Sequence, residues 1–294
     1  MKKYFALCCI LFIGIITYAN IGGSAKANSL LSSFSIQLLP QWITYLSTVI
    51  IVLIALTVGY QLAVYLKSKN KIIDDGPANT LVASVMGLLA FILAFAFSVT
   101  TNRFDTRKGL LLDEVNTIEM VYMRSELIPE QYQVDVKADI IEYVECRVRL
   151  IHATDSLEFY AQRSIELQND IWSVSKVLAN EDLKNADIVS LFIDSVNELI
   201  TMQNMRYTVS IIYKIPSAVW ALLYILILFS MVSMGYLFGL KKERNWYMFL
   251  ILSIAFSAVI ILIADLDKSG TSSTSIIKIS QQPMLDLQER LKMR

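Results

Sequence analysis

The chain has 294 residues, of which 55% are hydrophobic and only 18% are charged. Soluble globular proteins are about 45–50% hydrophobic and about 25% charged, so this composition indicates a membrane protein. The 26 basic residues balance the 26 acidic residues, which argues against a nucleic-acid-binding protein. With one His and three Cys, the chain has too few ligands for a zinc ribbon or a disulfide framework.

The N-terminal segment 1–27 has the three parts of a secretory signal peptide. Two lysines precede an apolar run that begins at Tyr4 and ends at Ala19, and a small-x-small cleavage signal ends at Ala27. We predict cleavage after Ala27, with an uncleaved membrane anchor as the alternative. Both forms place the following residue outside the cytoplasm.

Four further apolar runs are long enough to cross a bilayer, which takes about 20 residues. They are Trp42–Leu66, Thr80–Val99, Pro216–Leu240 and Trp246–Ala264. They form two pairs, each joined by a short basic loop. Because basic residues in short loops stay in the cytoplasm, both loops are predicted to face inward. Residues 100–215 and the tail 265–294 are then predicted on the periplasmic or extracellular side of a bacterial inner (plasma) membrane.

The middle segment, residues 100–215, has the pattern of a helical bundle. Apolar residues recur at steps of three and four, and the segment contains one Gly and one Pro, which leaves little room for hairpin turns. We therefore predict an all-α integral membrane protein. Two pairs of transmembrane helices, 42–99 and 216–264, would flank this extramembrane bundle.

The tail, residues 265–294, begins with small polar residues and then becomes partly apolar. A free tail would not need these apolar side chains, which are Ile276, Ile277, Ile279, Met284, Leu285 and Leu287. We predict that the tail docks on the helical bundle; a disordered tail is the alternative.

Known catalytic motifs are missing from the sequence. It contains no GxSxG, no Walker-type glycine loop, no HExxH and no EF-hand loop. His152 is interpreted as an ordinary helix residue and Cys146 as a partly buried core thiol. The sequence therefore predicts neither an enzyme nor a metal or cofactor site.

Phe91 and Phe95 lie four residues apart in the second apolar run, so they project together from one side of a helix. A nearby stripe of small residues would allow close helix approach in lipid; it consists of Ala83, Gly87, Ala94 and Ser98. On spacing alone, the two phenylalanines pack against another helix or lipid. The alternative is that they line a hydrophobic constriction in a pore.

The second and the last apolar runs both end in charged residues near the same predicted interface. A carboxylate drawn into a bilayer is costly, so Asp265 should have a partner, and Arg103 or Arg107 could supply it. Two independently solvated charges are the alternative. The predicted interfacial ion-pair network comprises Arg103, Asp105, Arg107, Glu114, Asp265 and Asp267.

Several short motifs resemble one known family. The runs 87–91, 102–107 and 113–118, together with 264–267, resemble the bestrophin-like domain family of bacterial membrane proteins, and the similarity covers residues 42–290. Further motif residues are Asn116, Tyr122, Arg124, Gln281, Gln282 and Pro283. This family is in turn similar to bestrophins, which are pentameric anion channels with two pairs of membrane helices around a long helical insertion.

The resemblance implies a role for the two phenylalanines. The segment from Phe91 to Phe95 looks like the aromatic neck of bestrophins, and Arg103-Phe104 resembles the Arg-Trp that follows that neck. Bestrophins carry their insertion in the cytoplasm, whereas the export signal here predicts the opposite side. The acidic calcium-binding cluster of bestrophins has no match in the tail.

Two functions are therefore expected. The first is a homo-oligomeric ion channel, conducting small anions, in which copies of Thr80–Val99 surround the axis and Phe91 and Phe95 form the constriction. The second is a non-conducting membrane scaffold or sensor whose helical bundle binds a partner. Both functions have the lipid bilayer as a partner, and neither involves nucleic acid.

Overall fold

The structure is a computed structural model that describes residues 41–69, 75–152, 157–181, 186–212, 215–241, 246–268 and 276–294. The predicted signal peptide lies outside these residues. The helices in chain order are α1 Gln41–Ser68, α2 Asp75–Arg124, α3 Glu130–His152, α4 Leu157–Asn180, α5 Ala186–Tyr207, α6 Ser217–Leu240, α7 Trp246–Lys268 and α8 Gln282–Met293. A 3₁₀ turn, Ser125–Leu127, follows α2, and a π-helical turn, Thr208–Ile212, follows α5. The described residues contain no strand, which confirms the all-α fold class.

Four of these helices are long and apolar enough to cross a membrane. They contain the segments Tyr45–Ser68, Gly76–Leu127, Ala218–Leu240 and Trp246–Lys268. A helix satisfies its backbone hydrogen bonds internally, so apolar runs of this length are stable as helices in lipid. Each of the four predicted spans lies on one of these helices, which supports an all-α membrane protein.

The chain divides into two compact units. The described residues of Met1–Asn102 and Lys214–Ile277 form the first, which we name the membrane unit. In it α1 packs along α6 and, less extensively, against α7. Its core is aliphatic and aromatic, and includes Leu56, Leu89, Met231 and Ile263.

Three glycines allow the close approach of α1 and α6. A Cβ on Gly59 would overlap the carbonyl oxygen of Val232, and one on Gly235 would overlap the carbonyl oxygen of Leu56. A Cβ on Gly239 would likewise overlap the carbonyl oxygen of Tyr60. Gly235 and Gly239 form a GxxxG pattern, which permits backbone contact between membrane helices. The small-residue stripe that the sequence predicts on α2 is a separate set of residues, and its role in helix approach stays a prediction.

Residues later in α1 contact residues later in α6, so the two helices run parallel. At their ends the Lys67 ammonium donates a hydrogen bond to the Leu240 carbonyl oxygen at 2.9 Å. A cation at a helix C-terminus is favoured by the helix dipole and satisfies a free carbonyl group. The ends that lead into the two basic loops therefore lie on the same side of the membrane unit.

The described residues of Arg103–Tyr213 and Lys278–Arg294 form the second unit, which we name the helical body. Here α3 packs against α4 and α8, and α4 packs against α5. Tyr143 and Phe192 are among the largest fully buried side chains. Helix α8 contributes Met284, Leu287 and Leu291 to the same core.

Helix α8 is capped at its start and forms an ion pair with α2 at its end. At its start the Gln281 carbonyl oxygen accepts the N–H groups of Met284 at 3.0 Å and Leu285 at 3.2 Å. Pro283 lies in the first turn, where its missing N–H costs nothing. At its end Arg290 lies 3.0 Å from the Glu119 carboxylate of α2.

Candidate functional site

One side of α2 in the membrane unit is not covered by any of the residues that the structure describes. Phe91 is 67% exposed and Phe95 is 54% exposed, one helical turn apart. The opposite side of the helix is buried in the core through Leu89, Leu93 and Ala96. A pair of large aromatic side chains is thus presented outward, where it is available to another molecule or to water.

The neighbouring exposed residues of α2 include one further large side chain, because Leu88, three residues before Phe91, is 50% exposed. The small exposed residues on this face are Ser84, Gly87, Ala94 and Ser98. Among the described residues, a Cβ placed on Gly87 would meet nothing within 4 Å, in contrast to the glycines of α1 and α6. The Ser84 hydroxyl donates to the Thr80 carbonyl oxygen at 2.9 Å, as serines in membrane helices commonly do. The exposed face therefore carries a few large apolar side chains among small ones.

Two buried carboxylates lie at the end of α7, also in the membrane unit. Asp265 is 5% exposed, and it accepts the backbone N–H groups of Ile276 at 3.0 Å and Ile277 at 2.6 Å. Asp267 is 6% exposed and accepts the N–H of Ile215 at 3.1 Å. Charge-assisted hydrogen bonds of this kind offset the cost of burying a carboxylate. The carboxylates thereby fix two chain segments to the end of α7.

The sequence had assigned an arginine partner to Asp265 and had not foreseen the backbone N–H groups. The pairing of Asp265 with Arg103 or Arg107 stays a prediction. In the helical body, Arg107 is buried, Arg103 is half-buried and Asp105 is exposed.

Glu114 lies at the centre of a buried polar cluster in the helical body. Its side chain is fully buried, and its Oε1 lies 3.0 Å from Nε of Arg147. Arg206 forms a second ion pair with the other carboxylate oxygen. The Tyr143 hydroxyl donates to Oε1 at 3.0 Å. One carboxylate is thus contacted by side chains from two other helices, α3 and α5.

Two glutamines extend this cluster. The Tyr143 hydroxyl also lies 3.2 Å from the Gln203 amide, and Gln168 Nε2 lies 3.4 Å from the hydroxyl oxygen. A hydroxyl has a single proton to donate, so it serves either the carboxylate or the Gln203 oxygen at one time. We name these six residues the Glu114 cluster: Glu114, Tyr143, Arg147, Gln168, Gln203 and Arg206. They come from helices α2 to α5, so the cluster joins all four.

The Glu114 cluster carries two guanidinium groups and one carboxylate. Burial lowers the pKa of Arg206 to about 10, which still leaves the group protonated at neutral pH. Buried charges are stable only when they are paired and hydrogen-bonded. Glu114, which is fully buried, therefore compensates the charge of two arginines whose side chains are 15% and 20% exposed.

Comparison with known families identifies the chain. The Bestrophin-like domain family matches residues 46–269, which is well over half of the sequence. The protein belongs to the Bestrophin-like family. The resemblance found in the motif residues is thereby confirmed.

Solved structures share the fold of this Bestrophin-like protein. One variant of a bacterial bestrophin homologue from Klebsiella pneumoniae matches it with a TM-score of 0.59 at 13% identity, and the match covers 84% of this chain and 96% of the homologue. A second variant gives 0.55 at 13% identity, over 84% and 99%. Identities this low show a common fold. No protein of curated function matches the chain.

The remaining motif residues of this Bestrophin-like protein have structural partners in the helical body. Tyr122 is buried in the core, with the Lys137 ammonium 5.3 Å from its ring centroid. Arg124 donates to the Leu191 carbonyl oxygen at 2.6 Å, which links the end of α2 to α5. Asn116 is exposed.

Two further motif residues, Gln281 and Gln282, organise the start of α8. The carbonyl oxygen of Gln281 accepts the first N–H groups of the helix. The amide of Gln282 donates to Asp286 at 2.7 Å, one turn along the helix. Gln281, Gln282 and Pro283 thus all serve the start of helix α8.

Sequence reasoning found Glu114 but missed the other five members of its cluster. A signal was present in α3, where Arg147 continues an apolar face that runs through Ile140, Tyr143 and Val144, all fully buried. A charged residue on such a face needs a buried partner. The sequence could not show that the partner was Glu114, because the two residues lie on different helices.

Proposed function

We propose that this protein is a homo-oligomeric anion channel in which copies of α2 surround a common axis. Phe91 and Phe95 form a hydrophobic constriction in that pore. The observation that carries the proposal is the exposure of both rings on a face that the described part of their own chain leaves uncovered. Hydrophobic constrictions control conduction because a narrow apolar passage excludes water.

The composition of the uncovered face supports the proposal. A pore-lining helix must leave one side free of its own core, and the small residues Ser84, Gly87, Ala94 and Ser98 on that side leave room beside the rings. The segment 80–99 contains no Asp or Glu, whereas rings of carboxylates favour cations. Membership of the Bestrophin-like family and the resemblance to bestrophins support an ion-channel function and a homo-oligomer.

The direct test is anion flux into liposomes that contain the purified full-length protein, followed with an entrapped chloride-sensitive dye. We expect flux in the unaltered protein and faster flux in Phe91→Ala and Phe95→Ala, because removing a ring widens the constriction. Phe97→Ala is the matched control. Phe97 lies on the same helix and is 41% exposed, but it points about 200° away from Phe95 around the helix.

Three results would each contradict one part of the proposal: conduction, the location of the constriction or the selectivity for anions. If none of the proteins conducts, the scaffold or sensor function replaces it. If Phe97→Ala raises flux as much as the other two variants, the constriction is not formed by Phe91 and Phe95. If cations pass at the same rate as anions, the proposed selectivity for anions is wrong.

The proposed orientation places the helical body on the periplasmic or extracellular side of the bacterial inner membrane. The parallel arrangement of α1 and α6 supports this, since both basic loops then lie on one side of the membrane unit. A reporter enzyme fused after Met205 tests it. Activity of a reporter that works only outside the cytoplasm is the expected result, and cytoplasmic activity would reverse the orientation.

A further inference from the structure

An open groove of about 310 Å³ runs along α1 in the membrane unit. One wall is the side of α1 from Ile50 to Gln61, and the other wall includes Trp246 at the start of α7. The lining is mainly aliphatic. This groove lies apart from the uncovered face of α2, so its occupant is a separate question from the pore.

The length of the α1 groove corresponds to one leaflet of a bilayer. At 1.5 Å per residue, the stretch from Ile50 to Gln61 rises about 16 Å. The hydrocarbon core of a bilayer is about 30 Å thick, so one leaflet contributes about 15 Å. An apolar groove of this length in a membrane helix accommodates a single acyl chain lying parallel to the helix.

Polar groups mark the end of the groove that is nearer the basic loops. Within the described residues, the Gln61 amide makes no hydrogen bond, although it lies in a candidate membrane span. The other polar lining residue, Thr57, already donates to the Leu53 carbonyl oxygen at 2.7 Å. The Gln61 side chain is exposed, and an amide that faces lipid without a hydrogen bond is costly, so a polar group of a bound lipid would stabilise it.

Two further residues extend this polar end. Tyr65 follows Gln61 by one turn and is exposed, and the Lys69 ammonium lies 4.9 Å from the centroid of its ring. Trp246 is also exposed, as tryptophans at the membrane interface usually are. Lys69 follows Gln61 by eight residues, a rise of about 12 Å along the helix direction. A positive charge beyond the polar end of an apolar groove complements an anionic headgroup above an acyl chain.

We propose that the α1 groove binds an anionic phospholipid from the leaflet next to the basic loops. One acyl chain fills the groove between Ile50 and Gln61. The Gln61 amide donates to an ester carbonyl oxygen at the glycerol level, and Lys69 faces the phosphate. The lipid thereby satisfies a polar group that the protein leaves open.

Trp246 provides the measurement, because its fluorescence is quenched by a brominated acyl chain in contact with it. The full-length protein is reconstituted in phosphatidylcholine bilayers that contain either brominated phosphatidylglycerol or brominated phosphatidylcholine. The fluorescence of Trp246 is obtained by subtracting the fluorescence of the Trp246→Phe variant, because that variant retains only the other tryptophans. We expect brominated phosphatidylglycerol to reach half-quenching at about a fivefold lower mole fraction, the effect of one lysine near an anionic surface.

Variants separate the parts of the site. Lys69→Gln should remove the fivefold preference, whereas Lys67→Gln should leave it, because the Lys67 amine is held by the Leu240 carbonyl oxygen. Ile54→Phe fills the groove and should reduce quenching by both lipids. Leu62→Phe, an exposed α1 position outside the lining, should not.

Equal quenching by the two lipids would overturn the proposal, since it indicates ordinary contact with bulk lipid. Absence of Trp246 quenching by either lipid would also overturn it and would show that protein, such as a second copy of the chain, covers the groove. A preference that survives Lys69→Gln would exclude Lys69 as the headgroup contact. These results are independent of conduction, so they do not depend on the proposed channel.

Discussion

Nε of Arg147 lies 3.0 Å from Oε1 of Glu114 in the core of the helical body, where the carboxylate is fully buried. The two residues lie on α3 and α2, and they are brought together only by the packing of these helices. Arg206 from α5 contacts the same carboxylate. A single glutamate thus compensates the charge of two arginines that its neighbours bury.

We predict that Glu114→Gln destabilises the protein by about 3–5 kcal/mol. The amide is similar in size but carries no charge, so it leaves two buried guanidinium groups uncompensated, which is the expensive way to break a buried ion pair. Urea unfolding of the detergent-solubilised protein measures the change. Glu119→Gln is the control, because its ion pair with Arg290 is partly exposed and should contribute about 1 kcal/mol or less.

A double-mutant cycle tests whether the loss of stability in Glu114→Gln comes from the interaction between Glu114 and Arg206. Removing Arg206 as well, in Glu114→Gln/Arg206→Met, should cost less than the sum of the two single changes, since residues in one network are not additive. Additive costs, or equal costs for Glu114→Gln and Glu119→Gln, would contradict the role assigned to Glu114.

We predict that Gly235→Ala lowers the unfolding temperature of the membrane unit markedly. The added methyl group would overlap the backbone carbonyl of Leu56, so α1 and α6 must move apart to admit it. In Gly109→Ala the methyl group would meet nothing within 4 Å. That control should be neutral or stabilising by about 0.5–1 kcal/mol, because alanine favours a helix. Similar losses in both variants would show that helix separation is not the cause.

Asp139 gives the stability of the helical body a pH dependence. Burial and the neighbouring carboxylates of Asp170 and Glu142 raise the pKa of Asp139 from 3.8 to about 6. The folded state therefore holds a proton that the unfolded state has released, and stability falls as the pH rises from about 4 to about 6. Asp139→Asn should stabilise the protein above pH 6 by about 1 kcal/mol, after allowance for solvent screening.

The gain from Asp139→Asn should disappear near pH 4, where the natural aspartate is itself protonated in the folded state. Unfolding midpoints at pH 4.5, 6 and 7.5 measure this difference, with Asp194→Asn as the control, because Asp194 is exposed and is not among the charges that shift the pKa of Asp139. A gain of the same size at all three pH values would show that titration of Asp139 is not its origin.

We predict that α8 contributes to the stability of the helical body. Leu287 is fully buried in its core, so Leu287→Ala should cost about 2–5 kcal/mol, the usual range for a buried leucine. Met293 lies on the same helix but is 83% exposed, and Met293→Ala should cost almost nothing. Urea unfolding and protease sensitivity report both changes. An equal response of the two variants would mean that α8 does not pack against the core in solution.

The membrane spans and the helical class followed from the sequence because lipid allows few alternatives. A run of about 20 apolar residues in a bilayer must form a helix, whatever its neighbours are. The spacing of Phe91 and Phe95 likewise placed both on one side of α2, since a helix fixes the direction of residues four apart. These predictions used only local geometry.

The contacts that the sequence did not reveal join residues on different elements. The close approach of Gly59 to α6 depends on which two helices pair, and nothing in either helix alone specifies the partner. Asp265 accepts the N–H groups of Ile276 and Ile277, and nothing in the sequence around Asp265 specifies these partners. Pairings of this kind are set by tertiary packing.

The Glu114 cluster also imposes an order on the maturation of the chain. Arg206 follows Glu114 by about 90 residues, and contacts at such separations form slowly. Until the last cluster helix has been synthesised, the carboxylate and both cations must stay hydrated. We therefore expect the body to desolvate its centre only after that helix has been added to the chain.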